Sequence, residues 1–199
     1  MVCRASQTFD KPVITGEGQG RIMTIWGDIE ILIDNIFFMN GYADQGAAIH
    51  STNAEMTILN SVFQNNVSIN DGAAIYSEGD DLTIKRTLFK NNVTNNGSGG
   101  GVHASKVHID SCDFIANVAG NDGGAIFIAN DTSDITRSIF SGNISQSRGG
   151  SIFCEAGANI YNNTIVFSSA PTDPAIGSTS SDSVHVVNTI IWDVDDQNW

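Results

Sequence analysis

Two short motifs recur in step along this chain, and they constrain its fold more than any other feature. The Phe-x-x-Asn motif recurs in steps of 26, 26, 25 and 26 residues, starting at Phe37, Phe63, Phe89, Phe114 and Phe140. The second motif, two small residues before an aliphatic one, ends at Ile49, Ile75, Val102, Ile126 and Ile152. Two motifs that keep one period over five copies indicate an architecture of stacked repeats.

Within each copy, apolar residues alternate with polar ones instead of recurring every three or four positions. Met56 to Ile58 and Leu82 to Ile84 follow this pattern, which is typical of a strand with one buried face. The spaced leucines of leucine-rich repeats are missing, and so is the six-residue rhythm of left-handed β-helices. We therefore predict an all-β fold: a single-stranded right-handed parallel β-helix of about seven or eight coils, each with about 25–26 residues and three short strands.

The repeats continue along the chain without a linker, which predicts one β-helix domain over residues 1–199. Residues 1–36 look like degenerate first coils, residues 37–154 like the regular array, and residues 155–199 like looser C-terminal coils. Ser, Thr, Asp and Pro are frequent between Ser168 and Ser183. We expect that segment to project from the stack as a loop.

In a β-helix, residues one period apart lie directly above one another, so repeated positions become columns. We expect the Phe and aliphatic columns to be internal. We also expect an internal Asn ladder, because Asn tolerates the left-handed conformation at a bend and its amide can bond to the next Asn. The predicted ladder residues are Phe37, Phe63, Phe89, Phe114 and Phe140, with Asn40, Asn66, Asn92, Asn117 and Asn143.

The residue after each inward aliphatic residue should point outward. On successive coils these residues are rings, spaced by about 4.8 Å: His50, Tyr76, His103, Phe127 and Phe153. Flat apolar faces suit sugar rings or partner aromatic and proline groups, and exposed apolar patches often mark interaction sites. The column is our candidate binding surface. Two alternatives remain open: the rings only stabilise the strands by stacking, or a loop covers them.

Charge and hydropathy restrict the partners and the location. A net charge of −13 with 9 Lys and Arg argues against nucleic acid and against anionic lipid as partners. No apolar run is long enough to span a membrane, and Met1 to Arg4 does not begin an apolar signal segment. We expect a piece of a longer secreted chain, at the cell surface or outside the cell, rather than a cytosolic protein. Open coil ends make end-to-end self-association an expected hazard.

The cysteines and the acidic turns offer little sign of a metal site. Cys3, Cys112 and Cys154 are odd in number and lack metal-ligand spacing, so we expect small buried fillers rather than a disulfide. The turns at 78–81 and 130–134 are rich in oxygen ligands and could bind Ca²⁺. Ordinary acidic turns explain them as well, and no other cofactor is predicted.

An enzymatic alternative comes from the many parallel β-helices that cleave acidic polysaccharides by hydrolysis or elimination. The best cluster for such a polysaccharide lyase or glycoside hydrolase is Lys85, Arg86, Asp110 and Arg137, on neighbouring copies of one strand. Solvated surface charge is the explanation that we favour. An acidic surface would also repel a polyuronate substrate, so we expect a non-enzymatic protein.

The paired motifs, Gly123 to Ile126 with Phe140 to Asn143, resemble the repeats of the chlamydial polymorphic membrane proteins. The segment from Asn188 to Trp192 is similar to β-helical repeats of other large bacterial surface proteins. The first resemblance covers residues 37–154 well and the remainder loosely. It implies a right-handed β-helical passenger of an autotransporter-like surface adhesin, with a host, glycan or protein partner. Fold alone does not specify that activity.

Overall fold

The computed structural model describes residues 2–4, 11–79 and 81–192. These residues form strands β1–β26, numbered in chain order, and they contain no helix that could span a membrane. Consecutive turns pair in parallel, residue over residue, and the strands stack as a β-solenoid of about seven turns. The predicted fold class is confirmed.

The strands form three sheets, named A, B and C here. Sheet A has 13 strands: β1 (Val2–Arg4), β3 (Met23–Asp34), β6 (Ile49–Leu59), β9 (Ile75–Glu78), β10 (Leu82–Lys85), β13 (Val102–Ala104), β14 (Val107–Asp110), β17 (Ile126–Ile128), β18 (Ser133–Thr136), β21 (Ile152–Cys154), β22 (Ala158–Tyr161), β24 (Ile176–Ser178) and β25 (Val184–Val187). Sheet B has eight strands: β2 (Val13–Thr15), β4 (Phe37–Met39), β7 (Val62–Gln64), β11 (Leu88–Lys90), β15 (Asp113–Ile115), β19 (Ile139–Ser141), β23 (Thr164–Val166) and β26 (Ile190–Trp192). Sheet C has five strands: β5 (Tyr42–Ala43), β8 (Val67–Ser68), β12 (Val93–Thr94), β16 (Val118–Ala119) and β20 (Ile144–Ser145).

A regular turn contains four strands rather than the three expected from the sequence. In the turn formed by β9, β10, β11 and β12, the first two strands both belong to sheet A. The reason is visible in β6, which runs through as one strand and pairs with β9 through its first half and with β10 through its second half. The extra turn that divides β9 from β10 therefore leaves both in the same sheet.

The phenylalanine column is the centre of the core. Its rings are parallel within 9° and their centroids lie 4.7–5.0 Å apart, the spacing of consecutive strands. The members are Phe38, Phe63, Phe89, Phe114 and Phe140, all fully buried. The prediction of Phe37 was wrong, because Phe37 pairs with Val62 and points outward while Phe38 pairs with Phe63.

The asparagine ladder is internal and continuous from Asn66 to Asn143. The Asn92 side chain shows the pattern: its Oδ1 accepts from the backbone and side-chain N–H groups of Asn66, and its Nδ2 donates to Asn117 Oδ1 and to the Phe63 carbonyl. The prediction of Asn40 was wrong. Gly41 occupies the ladder position and donates its N–H to Asn66 Oδ1.

The left-handed bend lies one residue before the ladder, not within it. Asn65, Asn91 and Ala116 have φ of 55°, 55° and 52°, and Gly142 follows them at 64°. Asn40 belongs to this set, with φ of 56°. The sequence predicted that one Asn both adopts the left-handed conformation and forms the ladder. In the structure, one residue turns the chain, and the next residue forms the hydrogen bonds between turns.

A second polar ladder, not predicted from the sequence, lies at the corner between sheets A and B. There, the Ser138 hydroxyl accepts from the Cys112 N–H, and Asn163 Oδ1 accepts from the Ser138 N–H. Cys112 therefore takes the place of a hydroxyl residue in a ladder, with Sγ 3.4 Å from the Asp110 carbonyl oxygen, and is more than a filler. Cys112 and Cys154 are free thiols and buried. The Cys3 side chain lies outside the described residues.

The segment from Ser168 to Ser183 follows the turn more closely than predicted. It contains β24, and Ser169 and Thr172 form parallel bridges to the preceding turn. Ala175 is buried and its carbonyl accepts from the Ser151 N–H. Much of the segment is exposed, but its backbone stays in the stack because these hydrogen bonds continue the repeat.

Tight glycine corners connect sheet C to sheet A. Each first glycine of the corner has a positive φ, and a Cβ there would lie 2.2–2.4 Å from the carbonyl oxygen of the aliphatic residue three positions on. The corner glycines are Gly46, Gly72, Gly99, Gly123 and Gly149. Both conformation and space therefore require glycine.

We expect Gly123→Ala to destabilise the fold by more than about 2 kcal/mol, because it adds a backbone clash to the cost of a left-handed residue. Gly142→Ala is the matched control. Its φ of 64° is nearly the same, but a Cβ at that residue would meet no atom within 4 Å, so only about 1–2 kcal/mol should be lost. Urea denaturation measures both, and equal losses would contradict the clash.

Candidate partner-binding surface

The predicted ring column forms on the outer surface of sheet A. His50, Tyr76, His103, Phe127 and Phe153 are consecutive register partners. The successive ring centroids are 5.1, 5.0, 4.7 and 5.8 Å apart. Alternation along each strand of sheet A places the rings outward, since their neighbours in the chain fill the aliphatic column.

The column is not exposed along its whole length, contrary to the sequence expectation. Phe127 is 6% exposed and Phe153 is completely buried, whereas the first three rings are half-buried. The Arg148 guanidinium lies over the Phe153 ring, with Cζ 4.2 Å from the centroid, and Gly177 of the next turn is its register partner. Only His50, Tyr76 and His103 therefore remain accessible.

The rings also present their edges, not their flat faces. The centroid separations are close to the spacing between turns, and the planes from Tyr76 to Phe153 differ by 32° or less, so each face is largely covered by the next ring. Stacking of a sugar is thus not available between Tyr76 and Phe153, whereas the His50 and Tyr76 planes are tilted by 52°. The edges of the three half-buried rings can instead contact a partner, except at His50 Nδ1 and His103 Nδ1, which are buried.

A polar rim from the corner between sheets C and A runs beside the accessible rings. Gln45 donates to Asp71 Oδ2 at 3.4 Å, and the Ser98 N–H donates to Asp71 Oδ1 at 2.8 Å. His103 Nδ1 lies 3.6 Å from Asp71 Oδ1, too long for a hydrogen bond but close enough for an ion pair if the ring is protonated. Burial raises the pKa of Asp71, but His103 and these hydrogen bonds lower it more, and the net pKa is depressed.

Two imidazole nitrogens in the column have no hydrogen-bond partner. They are His50 Nδ1 and His103 Nδ1, both buried at the atom. Burial, and then the positive charge of Arg21, lower the pKa of His50, while Glu78 opposes the shift. The column therefore favours a neutral His50.

An ion pair between Arg148 and Asp122 lies at the end of the polar rim, next to the buried ring of Phe153. Arg148 donates through Nε and Nη2 to the two carboxylate oxygens of Asp122, at 3.1 and 2.7 Å. Asp122 is almost fully buried, and its hydrogen bond with Arg148 raises the pKa of the guanidinium. A bidentate pair of this kind holds Arg148 over Phe153.

The four residues suggested for catalysis are neighbours, but most of them have structural contacts. Arg137 Nη2 lies 2.6 Å from Asp110 Oδ1, and Arg86 Nε donates to Asn60 Oδ1. Lys85 and Asp110 are register partners. Burial raises the pKa of Asp110, but hydrogen bonds from Arg137 and Ser111 lower it more, so the carboxyl stays ionised. A general acid would need the opposite shift.

The two turns suggested for calcium come together at the turns within sheet A, although Asp80 lies outside the described residues. Glu55, Gly79, Asp81 and Asp131 line a shallow polar depression. Lys106 occupies it, with Nζ 3.0 Å from Asp81 Oδ1. Within the described ranges, no three His, Cys, Asp or Glu side chains converge on a common point.

An aliphatic column, not predicted from the sequence, lies on the outer surface of sheet C. Val67 and Val93 are half-buried, Ile144 is 39% exposed, and each pairs in register with the same position of the next turn. Its signal was present, since Val or Ile follows each internal ladder Asn.

The comparisons agree with a solenoid built from repeats. The sequence profile of the Chlamydia polymorphic membrane protein repeat matches residues 60–78 and 137–155. Both matches begin at equivalent left-handed corner residues, Asn60 and Arg137, three turns apart. The chain thus carries repeats of this type in two segments of the array. No curated protein and no solved structure shows significant similarity to it.

We predict that acid destabilises the wild-type protein partly through His50. Because its folded pKa is lowered, the unfolded state binds the proton more readily, so this contribution to stability is lost as the pH falls below about 6.5. His50→Phe keeps a ring in the column without a titrating group. Its urea midpoint should fall less between pH 7 and pH 5 than that of the wild type. His185→Phe, at an exposed histidine, is the control and should leave the fall unchanged.

Proposed function

We propose that this chain is a rigid, non-enzymatic module of a secreted or cell-surface protein, which binds a carbohydrate or protein partner. The observation that carries the proposal is the parallel strand pairing from turn to turn, in a chain with repeats of the chlamydial surface-protein type. Such a stack keeps outward side chains at fixed spacing over its whole length, which suits a surface-exposed adhesin or autotransporter passenger.

The accessible part of the ring column is the contact surface that we propose. His50, Tyr76 and His103 lie on three consecutive strands, beside the polar rim that includes Asp71. Because ring edges and polar groups face outward, we infer recognition through hydrogen bonds to sugar hydroxyls or to polypeptide backbone.

The proposal is tested with the folded chain on a glycan array and on candidate host cells. Tyr76→Phe removes only the hydroxyl and should weaken binding about threefold to tenfold, the value of one hydrogen bond. Tyr161→Phe is the matched control, because that hydroxyl bonds to Asn159 outside the column. If the chain bound neither the glycan array nor the cells, the proposed function would be contradicted. If Tyr76→Phe and Tyr161→Phe weakened binding equally, the ring column would not be the contact surface.

The same preparation tests the enzymatic alternative. Release of unsaturated or reducing ends from polyuronates by the wild type would favour a lyase or hydrolase. If Arg86→Ala and Arg137→Ala then left the rate unchanged, the cluster at Asp110 would not be its site.

A further inference from the structure

The surface formed by sheets B and C differs from the rest of the rod. We call it the uncharged side, meaning the outward side chains of both sheets and of the corner between them. Its most exposed apolar members include Tyr42 and Ile144 at 43% and 39% exposure and Ile139 at 48%. Other apolar members, from β4 to β20, are half-buried: Phe37, Met39, Val62, Val67, Leu88, Val93, Ile115, Ala116 and Val118.

Charge is distributed very unevenly around the turns. From β4 to the end of the described chain, every Asp and Glu except Asp113 lies on sheet A, in the turns within it, or between sheets C and A. These residues are Asp44, Glu55, Asp71, Glu78, Asp81, Asp110, Asp122, Asp131, Asp134, Glu155, Asp173 and Asp182. In the same range, Lys90 is the one basic residue on the uncharged side. From β4 to β26, one side of a chain of net charge −13 is thus almost free of acidic groups, while Glu17 lies beside Tyr42 and Val67 before that range.

We propose that the uncharged side binds a second copy of this chain, with the two rods lying side by side. Two copies repel each other through their acidic sides, and they avoid that cost only when the uncharged sides meet and both copies of sheet A face solvent. A second solenoid also has the same spacing between strands, about 4.8 Å, so aliphatic columns can interdigitate turn after turn.

The two charges on this side fit such a pair. Lys90 and Asp113 lie on β11 and β15, the two central strands of the eight in sheet B. In a two-fold pair centred there, Lys90 of each copy comes near Asp113 of the other. Opposite charges at the centre then favour the pair and its register.

The available area is also sufficient. Seven turns at about 4.8 Å give a length of about 34 Å, and the residues across sheets B and C span about 20 Å. Followed around the bend between the two sheets, the side therefore offers at most about 700 Å², close to the ~800 Å² that each partner contributes to a standard interface.

Sedimentation equilibrium of the chain without any other partner tests the proposal, so its outcome does not depend on the proposed function. We expect a dimer with a Kd in the micromolar range or tighter. Val93→Asp should weaken it at least about tenfold, because a charge would be buried in the interface. Thr83→Asp, outward on sheet A in the same turn, is the matched control and should have no such effect.

Exchanging the charges of Lys90 and Asp113 distinguishes a loss of dimerisation from a loss of folding. Lys90→Asp should weaken the dimer by repulsion at least about tenfold, and adding Asp113→Lys should restore it to within about threefold. Circular dichroism checks that each variant is folded.

Small-angle scattering separates this pair from end-to-end stacking. A side-by-side dimer keeps nearly the length of one rod, whereas end-to-end association about doubles it. A chain that stays monomeric at about 100 µM, a doubled length, or a dimer unaffected by Val93→Asp and Lys90→Asp would each overturn the proposal.

Discussion

Parallel backbone pairing between consecutive turns, in register apart from a bulge between Trp26 and Ile29, is the constraint on which the rest of this structure depends. It places every residue directly over its equivalent, and so converts a repeated sequence into columns. Phe63, Phe89 and Phe114 become a stack, with centroids 4.9 and 4.7 Å apart. The interior grows with each added turn instead of around a single centre, so each column must suit its neighbours above and below.

The corners maintain that register. At the bend between sheets B and C, a left-handed residue such as Asn91 turns the chain and the next residue, Asn92, bonds to the turns on both sides. At the corner before sheet B, Ser138 likewise forms hydrogen bonds with the turns on both sides, to Cys112 and to Asn163. Polar groups are buried at both corners, but the continuous ladders satisfy them, which avoids the cost of an unpaired amide or hydroxyl.

The outer surface is where function must be decided, and it is asymmetric. From β4 onward, one side carries every described carboxylate except Asp113, together with the ring column and its rim. The other is aliphatic and almost uncharged, with Lys90 and Asp113 at its centre. A stack of identical turns permits this division, because a column can change character without disturbing the backbone pairing that supports it.

The sequence alone determined the period, the strand alternation, the β-solenoid and most interior columns, because these follow from spacing and residue type. It could not determine the local register where two residues fit the same motif position. Phe37 and Phe38 are both candidates for the phenylalanine column, and only the pairing of Phe38 with Phe63 identifies the member. Nor could it show that Phe153 is buried by Arg148 and Gly177, or that stacked rings turn their edges outward. Those features depend on the distance between side chains of different turns, which only the tertiary structure decides.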